Sequence, residues 1–97
     1  MVDLTFKEAN DPYESKRSDY IHYTGRNAYA GHGGTEIDTS GVTVLSSAQC
    51  IDRCDSDWSC ECVVFSKSDS KCWKRGICDL GNFDSDENYD VYMRQWS

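Results

Sequence analysis

The residues best equipped for chemistry are six cysteines, Cys50, Cys54, Cys60, Cys62, Cys72 and Cys78, in a chain of 97 residues whose first half has none. Thiols crowded in this way support a metal cage, a reactive thiol or a set of disulfides. Structural zinc takes its ligands from two close pairs, an outline that Cys50-x3-Cys54 and Cys60-x-Cys62 share. That arrangement leaves Cys72 and Cys78 over and lacks the short knuckle turns. A redox or nucleophilic thiol needs Cys-x-x-Cys or a neighbouring base, and the order of residues provides neither. Disulfides use all six cysteines with no remainder, although the sequence alone leaves the pairing open. Each bridge adds about 2 to 4 kcal/mol, mostly by restricting the unfolded chain, which is comparable with the whole net stability of a small domain.

The other candidates are weaker. His22 and His32 are the only histidines, no third ligand or paired base accompanies them, and "GHGG" at 31–34 reads as a turn. The clusters Asp55/Asp57 and Asp84/Asp86/Glu87 suggest calcium, but neither follows the EF-hand spacing, and both read as solvated turns. No nucleophile with a base and no paired carboxylates emerge, so no catalytic residue, metal or cofactor is expected. Lys67, Lys71, Lys74 and Arg75 form a basic cluster on an acidic chain, able to meet sulfated or uronic sugars. The plainer reading of the same residues is a hairpin edge whose charges deter strand pairing. Trp58, Trp73 and Trp96 offer flat faces to sugars or partner proteins, or else close a small core. The candidate ligand-binding set is therefore Trp73, Lys67, Lys71, Lys74 and Arg75.

Composition narrows the partners. With 17 acidic against 10 basic residues the net charge is -7, which repels a phosphate backbone and argues against nucleic acid. No apolar run is long enough to insert in a membrane, and the opening "MVDLTFKEAN" lacks the basic and apolar stretches of a secretory signal. Paired cysteines still imply an extracellular or secreted destination, reached through a signal that was removed or lay upstream. No Asn-x-Ser/Thr sequon occurs at Asn10, Asn27, Asn82 or Asn88, whereas O-linked sugar on Thr39, Ser40 or Thr43 stays open. A domain of this size buries only about 60 to 65% of its unfolded surface, so its thin core needs cross-links.

The elements that position these residues follow from period and punctuation. Residues 1–18 read as an arm, with Val2, Leu4 and Phe6 alternating in a strand-like stretch before a polar tether carrying Pro12. Residues 19–97 form the domain. Tyr20 to Thr24 reads as a first core strand, and Gly31, Gly33, Gly34 and Gly41 punctuate a turn-rich stretch before a short extended segment at 42–45. A helix is predicted at about 47–55, with Ser46 as cap, Gln49 completing a capping box and Leu45 stapling against Cys50. Such a helix is too short to persist alone, and its Cys50 and Cys54 share one face. "CECVVFS" and "KCWKR" read as a hairpin across "KSDS", with Cys60, Cys62 and Val64 on one face, and "YDVYMRQW" alternates Tyr89, Val91 and Met93 with Asp90, Tyr92 and Arg94. The fold class is α+β, a single short helix packed on an antiparallel sheet and stapled by disulfides.

Cys-x3-Cys in a helix, "CVVF" in a strand, "CW" after a turn and a terminal "YDVYMR" together resemble the PAN/apple module over about residues 20–94. The resemblance implies a curved sheet cradling the helix. It also implies one bridge from the helix to the "CW" strand and one to the strand before it, which carry over as Cys50 with Cys72 and Cys54 with Cys62. Cys60 and Cys78 are additions to the basic pattern and are assigned to each other, with Cys60 the alternative partner of Cys54. The bridge between the termini of apple domains is absent, so the PAN form is the nearer match. The resemblance further implies a non-catalytic binding or adhesion module for proteins or carbohydrates. The alternative is a structural subunit, in which Val2, Leu4 and Phe6 add a strand to a neighbour and build a homo-oligomer or fibre.

Overall fold

The computed structural model describes residues 19–95. The arm with Val2, Leu4 and Phe6, and Trp96, lie outside the described residues. Helix α1 spans Ser47–Asp55, where the cap signals place it. Ser46 is extended and its Oγ accepts the Gln49 N–H, while Gln49 Oε1 accepts the Leu45 N–H at 2.7 Å, so orphan donors at the helix start are satisfied from both sides. The expected staple does not form. Cys50 is fully buried against the sheet, and Leu45 stays on the outside of the first turn, 89% exposed.

The strands are β1 (Asp19–Asn27), β2 (Gly34–Glu36), β3 (Val42–Thr43), β4 (Cys62–Ser66), β5 (Lys71–Cys78) and β6 (Asp84–Gln95). They form one six-stranded antiparallel sheet in the order β1-β6-β4-β5-β2, with β3 also pairing β5. The β4–β5 hairpin turns through 67–70 as the polar "KSDS" suggests. β1 is an edge strand rather than a core strand, so none of its residues is fully buried: Tyr20 is half-buried on the helix face and Tyr23 on the opposite one. β6 starts earlier than its alternation suggests, because pairing resumes beyond a bulge at Thr24/Arg26 and brings Arg26 and Asn27 opposite Ser85 and Asp84. The glycine-rich stretch turns at 29–33, where Tyr29 O accepts the His32 N–H at 2.7 Å, and then supplies β2. Gly33 is obligatory in that turn: its φ is +79°, and a Cβ there would run into the Asp79 carbonyl oxygen.

Period-two alternation gives the sheet two faces, and α1 covers one of them. Val63 and Cys72 turn toward the helix and pack with Val44, Cys50, Cys54 and Cys60, flanked by Tyr20, Ile37, Ile51, Phe65 and Tyr92. Ala28, Cys62, Val64, Cys78 and Val91 turn the other way, flanked by Tyr23, Trp73, Phe83, Tyr89 and Met93. All six cysteines are among the buried apolar residues, so the bridges are a large part of the core itself.

Cys50 pairs with Cys72, as the resemblance implies, at a Cα separation of 5.5 Å. The other two first assignments are corrected: Cys54 bonds Cys60, the alternative partner named above, and Cys62 bonds Cys78, in place of Cys54 with Cys62 and Cys60 with Cys78. The reason lies in where β4 begins. Alternation starts at Cys62, whereas Cys60 still belongs to a turn, its N–H donating to Asp57 O at 3.0 Å. Two-residue spacing therefore does not put the sulfurs of "CEC" on one face. Cys60 faces α1 and reaches Cys54, while Cys62 faces away beside Cys78.

The end of α1 is fixed by Arg94 of β6. Its Nη1 donates to the carbonyl oxygens of Cys54 (3.1 Å), Asp57 (3.1 Å) and Cys60 (3.3 Å), and its Nη2 to that of Asp55 (3.4 Å). A cation here satisfies orphan carbonyls and opposes the negative end of the helix dipole. The Asp55 carboxylate lies 3.7 Å from Nη2 and accepts the Tyr20 hydroxyl, so this buried charge is compensated.

Candidate ligand-binding site

Alternation along β5 disperses the basic cluster that the sequence presents as continuous. Lys74 points to the helix face and binds Asp57 at 2.8 Å. That hydrogen bond, with those from Ser59, holds the Asp57 carboxyl well below the usual carboxylate range. Lys67 binds Asp90 at 3.0 Å, and Lys71, half-buried at the start of β5, pairs in register with Ser66 and Thr43. Asp90 is a hub on the helix face of β6. His22 Nε2 lies 2.8 Å from its Oδ2, and Thr24 Oγ1 and the Gly25 N–H donate to Oδ1 at 3.1 and 3.0 Å. Burial would push this carboxyl up, but the Gly25, His22, Lys67 and Thr24 bonds outweigh it and hold it down to about 2. Asp38 is likewise held by Arg53 at 2.8 Å and by the Lys74 N–H at 2.9 Å.

Asp55 and Asp57 are therefore partners of Arg94 and Lys74 rather than solvated turn residues. Asp84 accepts the Tyr29 hydroxyl at 2.9 Å. Among the described residues no group of three or more His, Cys, Asp or Glu could hold a metal, and no helix is long and apolar enough to cross a membrane. His22 stacks on Tyr92 with centroids 4.4 Å apart, while His32 sits against Tyr29 at 4.6 Å, so the two histidines belong to different neighbourhoods.

The opposite face of the sheet carries an open hollow. Asn27 from the end of β1, Trp73 and Arg75 from β5 and Tyr89 from β6 line this hollow of about 160 Å³. Trp73 and Arg75 share this face because they are two residues apart in one strand, and Tyr89 shares it with Val91 and Met93. The indole and phenol rings meet edge to face, 6.1 Å between centroids at 62°. Beside them the chain passes against the indole at Gly41, where a Cβ would sit 2.6 Å from Trp73 Cζ2, so only glycine allows this approach.

Arg75 is only 5% exposed. Its Nε donates to Ala28 O at 2.8 Å and its Nη1 to Asp38 O at 3.0 Å, tying the 28–38 loop across the sheet. Burial pulls its pKa down, with the charges of Glu36 and Asp38 opposing. The lining as a whole brings together two aromatic rings, an amide and a cation.

Of the five residues expected to bind ligand, the structure brings Trp73 and Arg75 together and leaves Lys67, Lys71 and Lys74 outside the hollow. Trp58, 86% exposed beyond the end of α1, is not among its lining residues. Asn27 and Tyr89 were not singled out. Same-face alternation with Val91 was the signal for Tyr89, whereas nothing local marks Asn27. Comparison of the chain with family models, curated proteins and solved structures finds no match.

Proposed function

We propose that the chain is an extracellular, non-catalytic binding module of the PAN/apple kind, recognising carbohydrate or protein through the sheet face opposite α1. The observation that carries this reading is the open hollow of Asn27, Trp73, Arg75 and Tyr89, in which ring faces and hydrogen-bonding groups converge. Three disulfides within the core support an oxidising compartment, and hence a secreted or cell-surface setting. Carbohydrate is the better fit of the two ligand classes. The hollow is open and about the size of one ring, and its aromatic residues suit the stacking of pyranose rings.

The test is a glycan array probed with the oxidised chain, with Trp73→Ala and with Tyr89→Ala. Binding lost in both variants supports the site. Binding kept in both moves it off this face, and a silent array ends the carbohydrate reading and leaves a protein ligand.

A further inference from the structure

Building on that reading of the hollow, we propose that it selects a carboxylated sugar ring and that Arg75 is the residue that reads the carboxylate. A guanidinium carries one N–H on Nε and two on each terminal nitrogen. In Arg75 the Nε–H is taken by Ala28 O and one Nη1–H by Asp38 O. The second Nη1–H and both Nη2–H groups meet no acceptor among the described residues. Three terminal N–H donors, two of them on Nη2, are thus left over for a carboxylate, which accepts charge-assisted hydrogen bonds from a guanidinium.

The charge is unmatched as well as the donors. Arg75 is 95% buried by the complement of its 5% exposure, yet it forms no ion pair among the described residues. The two acids closest to its field are placed elsewhere. Asp38 turns its carboxylate to Arg53 and the Lys74 N–H, giving Arg75 only its main-chain oxygen. Glu36, directly opposite Arg75 in the β2–β5 register, is exposed and closes no ion pair with it. A buried cation without a carboxylate is costly to a fold unless a partner arrives from outside, and Arg75 lines the hollow together with Trp73 and Tyr89. A ring against the aromatic residues with its carboxylate on the guanidinium and a hydroxyl on Asn27 satisfies all of these groups at once. Uronic acids and sialic acids both carry that combination.

The experiment is an NMR titration of the oxidised chain, following the Trp73 indole N–H and the Asn27 amide. The probes are methyl glucuronide, methyl sialoside, the methyl ester of the glucuronide and methyl glucoside. At least one acid is expected to bind about tenfold to a hundredfold more tightly than the neutral ester and glucoside. Arg75→Gln is expected to reduce the acid to the affinity of the ester, and Glu36→Gln to favour the acid about twofold by removing a competing anion. Equal affinity for acid and ester overturns the carboxylate assignment while leaving the sugar site standing. No shift with any probe overturns both. Because the acid and its ester are compared on the unaltered protein, the result stands even where Arg75→Gln does not fold.

Discussion

Two arginines are almost equally buried on opposite faces of one sheet, Arg94 at 8% exposure and Arg75 at 5%, and the fold treats them differently. Arg94 is enclosed by four carbonyl oxygens and the Asp55 carboxylate, so its charge is spent on holding the end of α1 to β6. Among the described residues Arg75 receives two carbonyl oxygens and no carboxylate, beside an open hollow. Burial alone therefore does not distinguish a structural arginine from one available to a ligand. The count of satisfied donors does, because an internal network that is complete has nothing left to offer.

Arg94→Met tests the first half of this contrast and carries the largest expected effect. It strands the Asp55 charge and removes the donors from the helix-end carbonyls, so urea unfolding should show a loss of about 3 to 5 kcal/mol. A loss below about 1 kcal/mol would mean that solvent replaces Arg94 freely and that the network is not structural.

Acid should act on the helix face for the same reason. Asp90 is held down to about 2 in the folded chain, below its ordinary unfolded value near 3.9, so the unfolded state binds the extra proton first. Its contribution, about 2 kcal/mol, is fully present above about pH 5 and is lost as pH falls through 4 toward 2. Asp57, lowered by Lys74 and Ser59, acts in the same direction. Asp90→Asn should flatten the pH dependence of the urea midpoint in that window. An unchanged slope would mean that His22, Lys67, Thr24 and Gly25 do not hold the carboxylate in solution.

Arg75→Met is expected to cost less, about 1 to 2 kcal/mol, since it loses two hydrogen bonds to carbonyls but also removes a buried charge that no carboxylate among the described residues pairs with directly. The difference from Arg94→Met, measured by the same urea unfolding, is the direct measure of the contrast. Equal losses would show that Arg75 is as fully engaged as Arg94.

These two arginines also show what was legible in the sequence and what was not. Local signals placed α1 well, because Ser46 and Gln49 cap it through contacts a few residues apart. They also placed the β4–β5 hairpin and the alternation that turns Tyr89 and Arg94 to opposite faces. Cys60 escaped because its side depends on the residue at which β4 starts, a boundary set by the turn at Asp57 rather than by cysteine spacing. The basic cluster misled because charge was counted along the chain, whereas the pleat sends Lys74 to Asp57 and Arg75 to the other face. β2 was hidden in a glycine-rich stretch whose pairing partner lies some forty residues away, as the register of Gly34 with Cys78 shows. Arg75 was picked for its charge, yet what distinguishes it is the set of donors left over, which only the folded neighbourhood defines.

The smallest effect on stability should come from the wall of the hollow. Gly41→Ala places a Cβ against the Trp73 indole, at 2.6 Å before relaxation, so either the loop lifts or the ring turns. The loop is largely exposed around 39–43, which keeps the cost to about 1 kcal/mol or less. The indole has no such freedom without changing its contact with Tyr89, so its NMR shift and the affinity for any ligand of the hollow should both change. Gly81→Ala is the matched control: its Cβ would meet only Asp79 Oδ1 at an ordinary 3.6 Å, and both readouts should stay at their starting values. Should Gly41→Ala leave the Trp73 signal and ligand affinity untouched while Arg75→Met abolishes binding, recognition would rest on the guanidinium alone. The aromatic wall would then be packing, and the distinction between the two faces would reduce to the two arginines.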